Sequence, residues 1–277
     1  MRRITSALFM TLLGVSILIA APGAKAEEQF IILASTTSTA NSGLLGYILP
    51  IFEKKAGFKV RVVVVGTGQA LRIARNGDAD VLLVHHRPSE EKFVADGYGV
   101  KRYDVMYNDF VIVGPESDPA GAIKTGEAFA AMKQIAHSKS TFVSRGDDSG
   151  THKRELTLWK KAGIDIKKVS GGWYRETGAG MGATLNTTFA MNGYTLADRG
   201  TWISFRNRAG LAVMIEGEPP LFNPYGIILV NPERHPHVKA KEGQMLIDWM
   251  ISDEGQKAIA SFRIGGEQLF KPNAKAE

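Results

Sequence analysis

FIILASTTSTANSGLL, residues Phe30 to Leu45, passes from an apolar, β-branched run through small hydroxyl residues into a segment of helical period. Phe30 to Ala34 reads as a strand, and Leu45, Ile48, Leu49 and Phe52 then recur on one face of a helix running from about Ser42 to Lys55. Gly57 is the expected stop, and Pro50 should kink or split the helix. The same grammar recurs twice. Val60 to Val65 leads through Gly66-Thr67-Gly68-Gln69 into a helix over Ala70 to Asn76, closed by Gly77. Thr141 to Val143 leads through Ser144-Arg145-Gly146-Asp147-Asp148-Ser149-Gly150 into a helix over Thr151 to Lys161, ended by Gly163.

Further strands are expected at Val81 to Val84, Phe110 to Val113, Leu211 to Ile215 and Ile227 to Val230. Further helices are expected after an N-cap at Thr125, over Val238 to Met250, and from the cap Ser252 to Phe262, with the tail after Phe270 frayed. Strands alternating with helices define an α/β chain built on a parallel sheet. No linker or internal repeat interrupts the 277 residues, a length that favours two lobes over one core. Turn residues cluster at Gly114-Pro115 to Gly126 and at Glu216 to Pro224. The expected division is therefore residues 27–112 as the first part of lobe 1, 113–215 as lobe 2, and 216–277 as the return to lobe 1.

Arg2 and Arg3 precede an apolar run from Ala7 to Ala21, then Pro22, Gly23 and Ala24-Lys25-Ala26. That order is a secretory signal peptide over residues 1–26, and the run is shorter than the roughly 20 residues of a membrane span. With no cysteine in the chain there is none to carry a lipid at the cleavage point, so the expected product is a released, periplasmic protein. Removing Arg2, Arg3 and Lys25 from the 34 basic residues leaves 31 against 28 acidic ones, so the net charge of +6 falls to +3. That balance is too mild, and its lysines and arginines too scattered, for a nucleic-acid binder.

Each of the three junctions places hydroxyl or glycine residues between a strand end and a helix start. Helix N-termini expose unpaired N–H groups and a positive partial charge, which makes them anion sites. Glycine admits close approach and hydroxyls donate without adding charge, while Arg145 brings a full charge and a fork of donors. Any one junction can also be read as an ordinary N-cap, and Arg145 as the surface partner of Asp147 or Asp148. Three junctions at carboxyl ends of strands point to a ligand, since open α/β sheets bind there. Gly178-Ala179-Gly180-Met181-Gly182 follows no clear strand and lacks the lysine of a phosphate loop. His85 and His86 read as packing or solvent residues, His235 and His237 as a loop pair, and His152 as a group that at most orients the Arg145 loop. No nucleophile elbow or His-Glu-x-x-His motif is present, so no enzyme is expected.

At these junctions, and in the stretches "KFVADGYGVKRYDVMYNDFVIVGPESDPAG", "WYRETGAGMGATLN", "YTLADRGTW" and "LFNPYGIILVNPE", the sequence resembles the substrate-binding component of tungstate ABC transporters, a type II periplasmic binding protein family. The resemblance spans nearly the whole chain after residue 26. It implies a two-lobed α/β fold with a hinge and an interlobe cleft, in which tungstate is held by Thr36, Thr37 and Ser38, by Thr67 and Gly68, and by Arg145, Ser149, Gly150 and Thr151. It also implies delivery to the permease subunits of an ABC importer by a monomer that needs no cofactor and no cation site. Ser35 departs from the threonine expected of many relatives while keeping the hydroxyl. Molybdate, phosphate and sulfate are the competing ligands, and a periplasmic phosphate- or sulfate-ester hydrolase is the competing function. Phosphate carries a proton and favours a fixed acceptor; relatives that bind it place a carboxylate after the third strand, where this chain has Val84-His85-His86-Arg87.

Overall fold

The strand Val81–Val84 is apolar at all four positions and completely buried, so it belongs in the middle of a sheet covered on both faces. The computed structural model describes residues 29–208 and 210–274, and the signal peptide expected over 1–26 lies outside the described residues. The first half of the chain runs β1 (Phe30–Thr36), α1 (Thr37–Asn41), α2 (Leu44–Ala56), β2 (Lys59–Val65), α3 (Thr67–Asn76), β3 (Val81–Val84), α4 (Arg87–Ala95) and β4 (Gly99–Pro115). It continues with α5 (Ala128–Ser138), β5 (Phe142–Ser144), α6 (Gly150–Lys161), β6 (Tyr174–Glu176), α7 (Met181–Ala190), β7 (Thr195–Asp198), α8 (Arg199–Ser204) and β8 (Leu211–Ile215). The chain returns through β9 (Phe222–Val230), α9 (Ala240–Ile251) and α10 (Asp253–Ser261), followed by the short strands β10 (Arg263–Ile264), β11 (Glu267–Gln268) and β12 (Lys271–Pro272).

The α/β class is as expected, but the sheet is mixed rather than parallel. β1 pairs in parallel with β2 and β3, whereas β9 runs antiparallel to both β3 and β4. β4 is far longer than the Phe110 to Val113 run, because Lys101, Arg102, Asp104, Asn108 and Asp109 interrupt its apolar pattern. Its first part pairs with β9 up to Asp109, opposite Phe222, and its second part pairs with β7 and β8 from Phe110 onward. One strand therefore joins two separately packed regions. The first encloses Ile31, Leu33, Ile48, Phe52, Ile227 and Trp249 on one sheet face and Ala70, Leu82, Phe93 and Ile228 on the other. The second is built from residues between Phe110 and Leu221, with Phe142, Trp159, Tyr174 and Tyr194 at its centre.

Local expectations fail where backbone detail decides. The helix after β1 begins at Thr37 with Thr36 as its cap, and the break falls at Gly43, whose φ of 84° is left-handed, while Pro50 lies inside α2. The cap of α5 is Glu127, since Thr125 closes a preceding single turn. The first residues after Phe270 are paired, with Lys271 opposite Tyr107 and Pro272 opposite Met106. Among the described residues, no helix is long and apolar enough to cross a membrane.

Glu155 of α6 is buried in the second core, where its carboxylate accepts from the Tyr174 hydroxyl at 2.7 Å and Trp159 Nε1 at 3.1 Å. Burial raises its pKa to about 7 despite these donors. The protonated form therefore favours the fold. Its contribution is complete below the unfolded value near 4.5 and is lost as pH rises through about 7. Glu155→Gln should remove this dependence and gain up to about 3 kcal/mol over the native chain in mildly alkaline buffer. Denaturant melts at several pH values read the effect, and parallel curves for the two proteins would refute it.

Candidate functional site

The expected junctions converge. Thr36, Thr37 and Ser38 at the end of β1, Val65, Gly66 and Thr67 at the end of β2, His85 after β3, and Arg145, Ser149 and Gly150 after β5 border one hollow with about 160 Å³ of empty space. That space includes the open mouth of the hollow, so the site is small and far too tight for a nucleotide. The first seven of these residues come from the first packed region and the last three from the second. Gly68 and Thr151 do not border the hollow; each lies one residue beyond a residue that does.

The β1 junction is a chain of hydroxyls. Thr36 Oγ1 lies 2.6 Å from Thr39 Oγ1 and 3.2 Å from Ser38 Oγ, all buried. Ser35 plays another role: its hydroxyl donates to the Leu83 carbonyl at 2.9 Å and ties β1 to β3. At the β2 junction, α3 starts directly on Gly66, which offers no side-chain cap, so its first N–H groups have no partner within the helix. The Thr67 hydroxyl is fully buried and has no hydrogen-bond partner among the described residues, and the Thr151 hydroxyl in the first turn of α6 is in the same condition. A buried hydroxyl without a partner costs about 1–3 kcal/mol, which a ligand oxygen would recover.

The β5 junction is shaped by left-handed residues at Gly146 and Asp148, with φ of 59° and 58°. This turn folds Asp147 back on Arg145, so that its Oδ2 accepts from Nη2 at 2.5 Å and Nε at 3.1 Å. Asp147 Oδ1 takes the Ser149 N–H at 3.2 Å, and Ser149 Oγ caps α6 by accepting from the His152 N–H. His152 Nδ1 accepts the Asp148 N–H, holding the loop as expected of an orienting group. Arg145 is only 5% exposed, so it is not a surface ion pair, and among the described bordering residues it is the one permanent cation.

The residue that the sequence reading set aside is His85. Its Nε2 lies 3.1 Å from Ser38 Oγ, its Nδ1 lies 3.0 Å from Asn223 Oδ1, and its ring stacks on Tyr225. Burial lowers its pKa to about 4 against the raising effect of Asn223, and Arg145, His86 and Arg154 lower it further. His86 turns to the other face, as alternation demands, and pairs with Ser89. The available signal for His85 was its position at a strand's carboxyl end. Another unanticipated group is Glu90, a buried acid close after β3. It accepts from Arg102 Nε at 2.6 Å and from the His86 N–H, and it packs on Gly226 rather than bordering the hollow. The glycine run at 178–182 does follow a strand, β6, and leads into α7 from Gly180, but it does not border the hollow either. Among the described residues, no group of three or more His, Cys, Asp or Glu could hold a metal ion.

A mixed sheet with two cores and a small, donor-lined hollow between them defines an anion-binding protein of the two-region α/β type. The PBP superfamily domain model matches residues 21–254, and the chain belongs to that superfamily. It is 46% identical over 248 residues to the tungstate-binding protein TupA of Peptoclostridium acidaminophilum, covering 88% of this chain and 86% of that one. Among solved structures it is similar to the tungstate-binding protein TupA from Desulfovibrio alaskensis, at 44% identity and a TM-score of 0.77, covering 89% of this chain and 99% of that one. It is similar as well to the tungstate ABC transporter structure from Geobacter sulfurreducens, at 51% identity and a TM-score of 0.76, covering 84% of this chain and 99% of that one.

Proposed function

We propose that this chain captures tungstate in the hollow bordered by Thr36, Thr37, Ser38, Thr67, Arg145, Ser149 and Gly150, and delivers it to an ABC importer. The observation that carries the reading is the buried Thr67 hydroxyl, without a partner among the described residues, on the same small hollow as the buried Arg145. A tetrahedral dianion offers acceptors only, and it matches a lining of hydroxyls, helix N-termini and one guanidinium. The names of the relatives point to the same ion.

Desolvating a dianion is costly, so its water shell must be replaced by donors already in place. Roughly six to eight charge-assisted hydrogen bonds at about 1.5–3 kcal/mol each exceed 10 kcal/mol before ordering costs, so nanomolar affinity, about −12 kcal/mol, is within reach. On this reading Gly68 and Thr151 contribute through the first turns of α3 and α6 rather than by bordering the ion. The two packed regions are then the two lobes, dividing within β4 near Phe110 and again near Phe222 rather than after residues 112 and 215, with β4 in the hinge, and the ion bridges the two. The protein acts after export to the periplasm on a signal peptide over residues 1–26, as a monomer docking on permease subunits.

Calorimetric titration of the purified protein with tungstate, molybdate, sulfate and phosphate tests the proposal. Tungstate and molybdate should bind far more tightly than phosphate, whose proton finds no carboxylate acceptor on the hollow. Tighter binding of phosphate, or binding of none of the four, would reject it.

A further inference from the structure

His85 is the third member of a buried relay. The Asn223 side-chain nitrogen donates to Asn108 Oδ1 at 2.7 Å, so the Asn223 oxygen is what faces His85 at 3.0 Å. An amide oxygen accepts, and Nδ1 must therefore carry a proton. In the neutral ring Nε2 then holds a lone pair, and the group 3.1 Å away is the Ser38 hydroxyl. A hydroxyl has one proton. Donated to His85, it leaves Ser38 presenting lone pairs to the hollow that it borders.

A dianion brought beside those lone pairs meets repulsion where the site needs a donor. One proton on Nε2 reverses the polarity. The imidazolium N–H donates to Ser38 Oγ, and the Ser38 O–H is released to turn toward a ligand oxygen. We propose that oxyanion capture is coupled to the uptake of one proton from solvent by His85, which converts Ser38 from acceptor to donor and makes His85 a specificity-setting residue. This inference rests on the oxyanion reading of the hollow.

The groups around His85 explain why the proton arrives with the ion and not before it. Arg145 from the β5 junction, Arg154 from α6 and the neighbouring His86 all oppose a positive charge on the ring, as does burial. The rings packed on it, Tyr225 and Phe110, bring no charge near neutral pH. The two charges of the ligand supply what the protein withholds.

Tungstate titrations of the purified protein in two buffers of different ionisation enthalpy, across about pH 6 to 8, read the proton count directly. Uptake should rise toward one proton per ion as pH falls, with affinity strengthening by up to about tenfold per pH unit. His85→Gln has no titrating ring, and its amide, with the nitrogen toward the Asn223 oxygen, leaves its own oxygen to Ser38, so tungstate should bind more weakly and without that proton uptake. Tight tungstate binding by the native protein with no proton exchange would overturn the inference, because the Asn108–Asn223 pair would then run in reverse and a neutral His85 would already donate. Unchanged uptake in His85→Gln would overturn it as well. Failure of the native protein to bind any of the four oxyanions is a different result, which removes the functional reading beneath it.

Discussion

Arg145→Gln should weaken tungstate binding by about 3–4 kcal/mol, two to three powers of ten in Kd, while the fold persists. The loss has two parts. The guanidinium is the one permanent cation among the described residues bordering the hollow, so its charge-assisted bonds to the ion disappear. Its removal also frees the Asp147 carboxylate, now held at 2.5 and 3.1 Å, to face the dianion as a like charge. Asp147→Asn added to Arg145→Gln should therefore recover part of the affinity, which separates repulsion from lost donors. Breaking this buried pair should lower the midpoint of Arg145→Gln, and less so that of the double variant, while both proteins stay folded because the core of the second region lies under Phe142 and Trp159 rather than at the loop. An unchanged calorimetric affinity in Arg145→Gln would remove this residue from the site.

The second large effect is expected at Gly150. A Cβ there would lie 2.8 Å from His85 Nδ1 and 3.0 Å from Nε2, and closer still to Cε1. The ring cannot easily yield, being held by Ser38 and Asn223 and stacked on Tyr225 with centroids 4.8 Å apart. Alanine is otherwise the better helix former, so any loss in Gly150→Ala measures the clash. A destabilisation of about 1–3 kcal/mol is expected, with tungstate affinity reduced about tenfold or more because either the ring or the start of α6 must shift. Gly68→Ala is the contrast. Its Cβ meets the carboxylate of Asp148, an exposed and rotatable group paired with Lys153, which can swing aside at little cost. Melting and titration of the two variants give the comparison, and equal behaviour would show that the His85 ring is not fixed.

The three hydroxyl- and glycine-bearing junctions were legible because each is a local event, a strand end followed within a few residues by a helix cap. The Arg145 partner was not, since Asp147 and Asp148 were both open to it and only the fold of the turn chose Asp147 and buried the pair. The antiparallel course of β9 was not legible, since a short apolar run buried on both faces has the same composition in either direction. β4 was hidden by its own polar residues, which are tolerated because Arg102 meets Glu90 and Asp104, and Asp109 meets Arg199.

Composition, apolar period and cap chemistry thus determined an α/β chain with anion-seeking strand ends, because those signals act between residues a few positions apart. Tertiary structure decided that the ends meet on one hollow and that His85 reaches Ser38 there. That relay joins residues 47 and 138 positions from His85, and Asn223 and Asn108 are 115 apart. Such polar groups are placed by burial: once the sheet excludes water, each must find its partner wherever the packing of distant segments has put it.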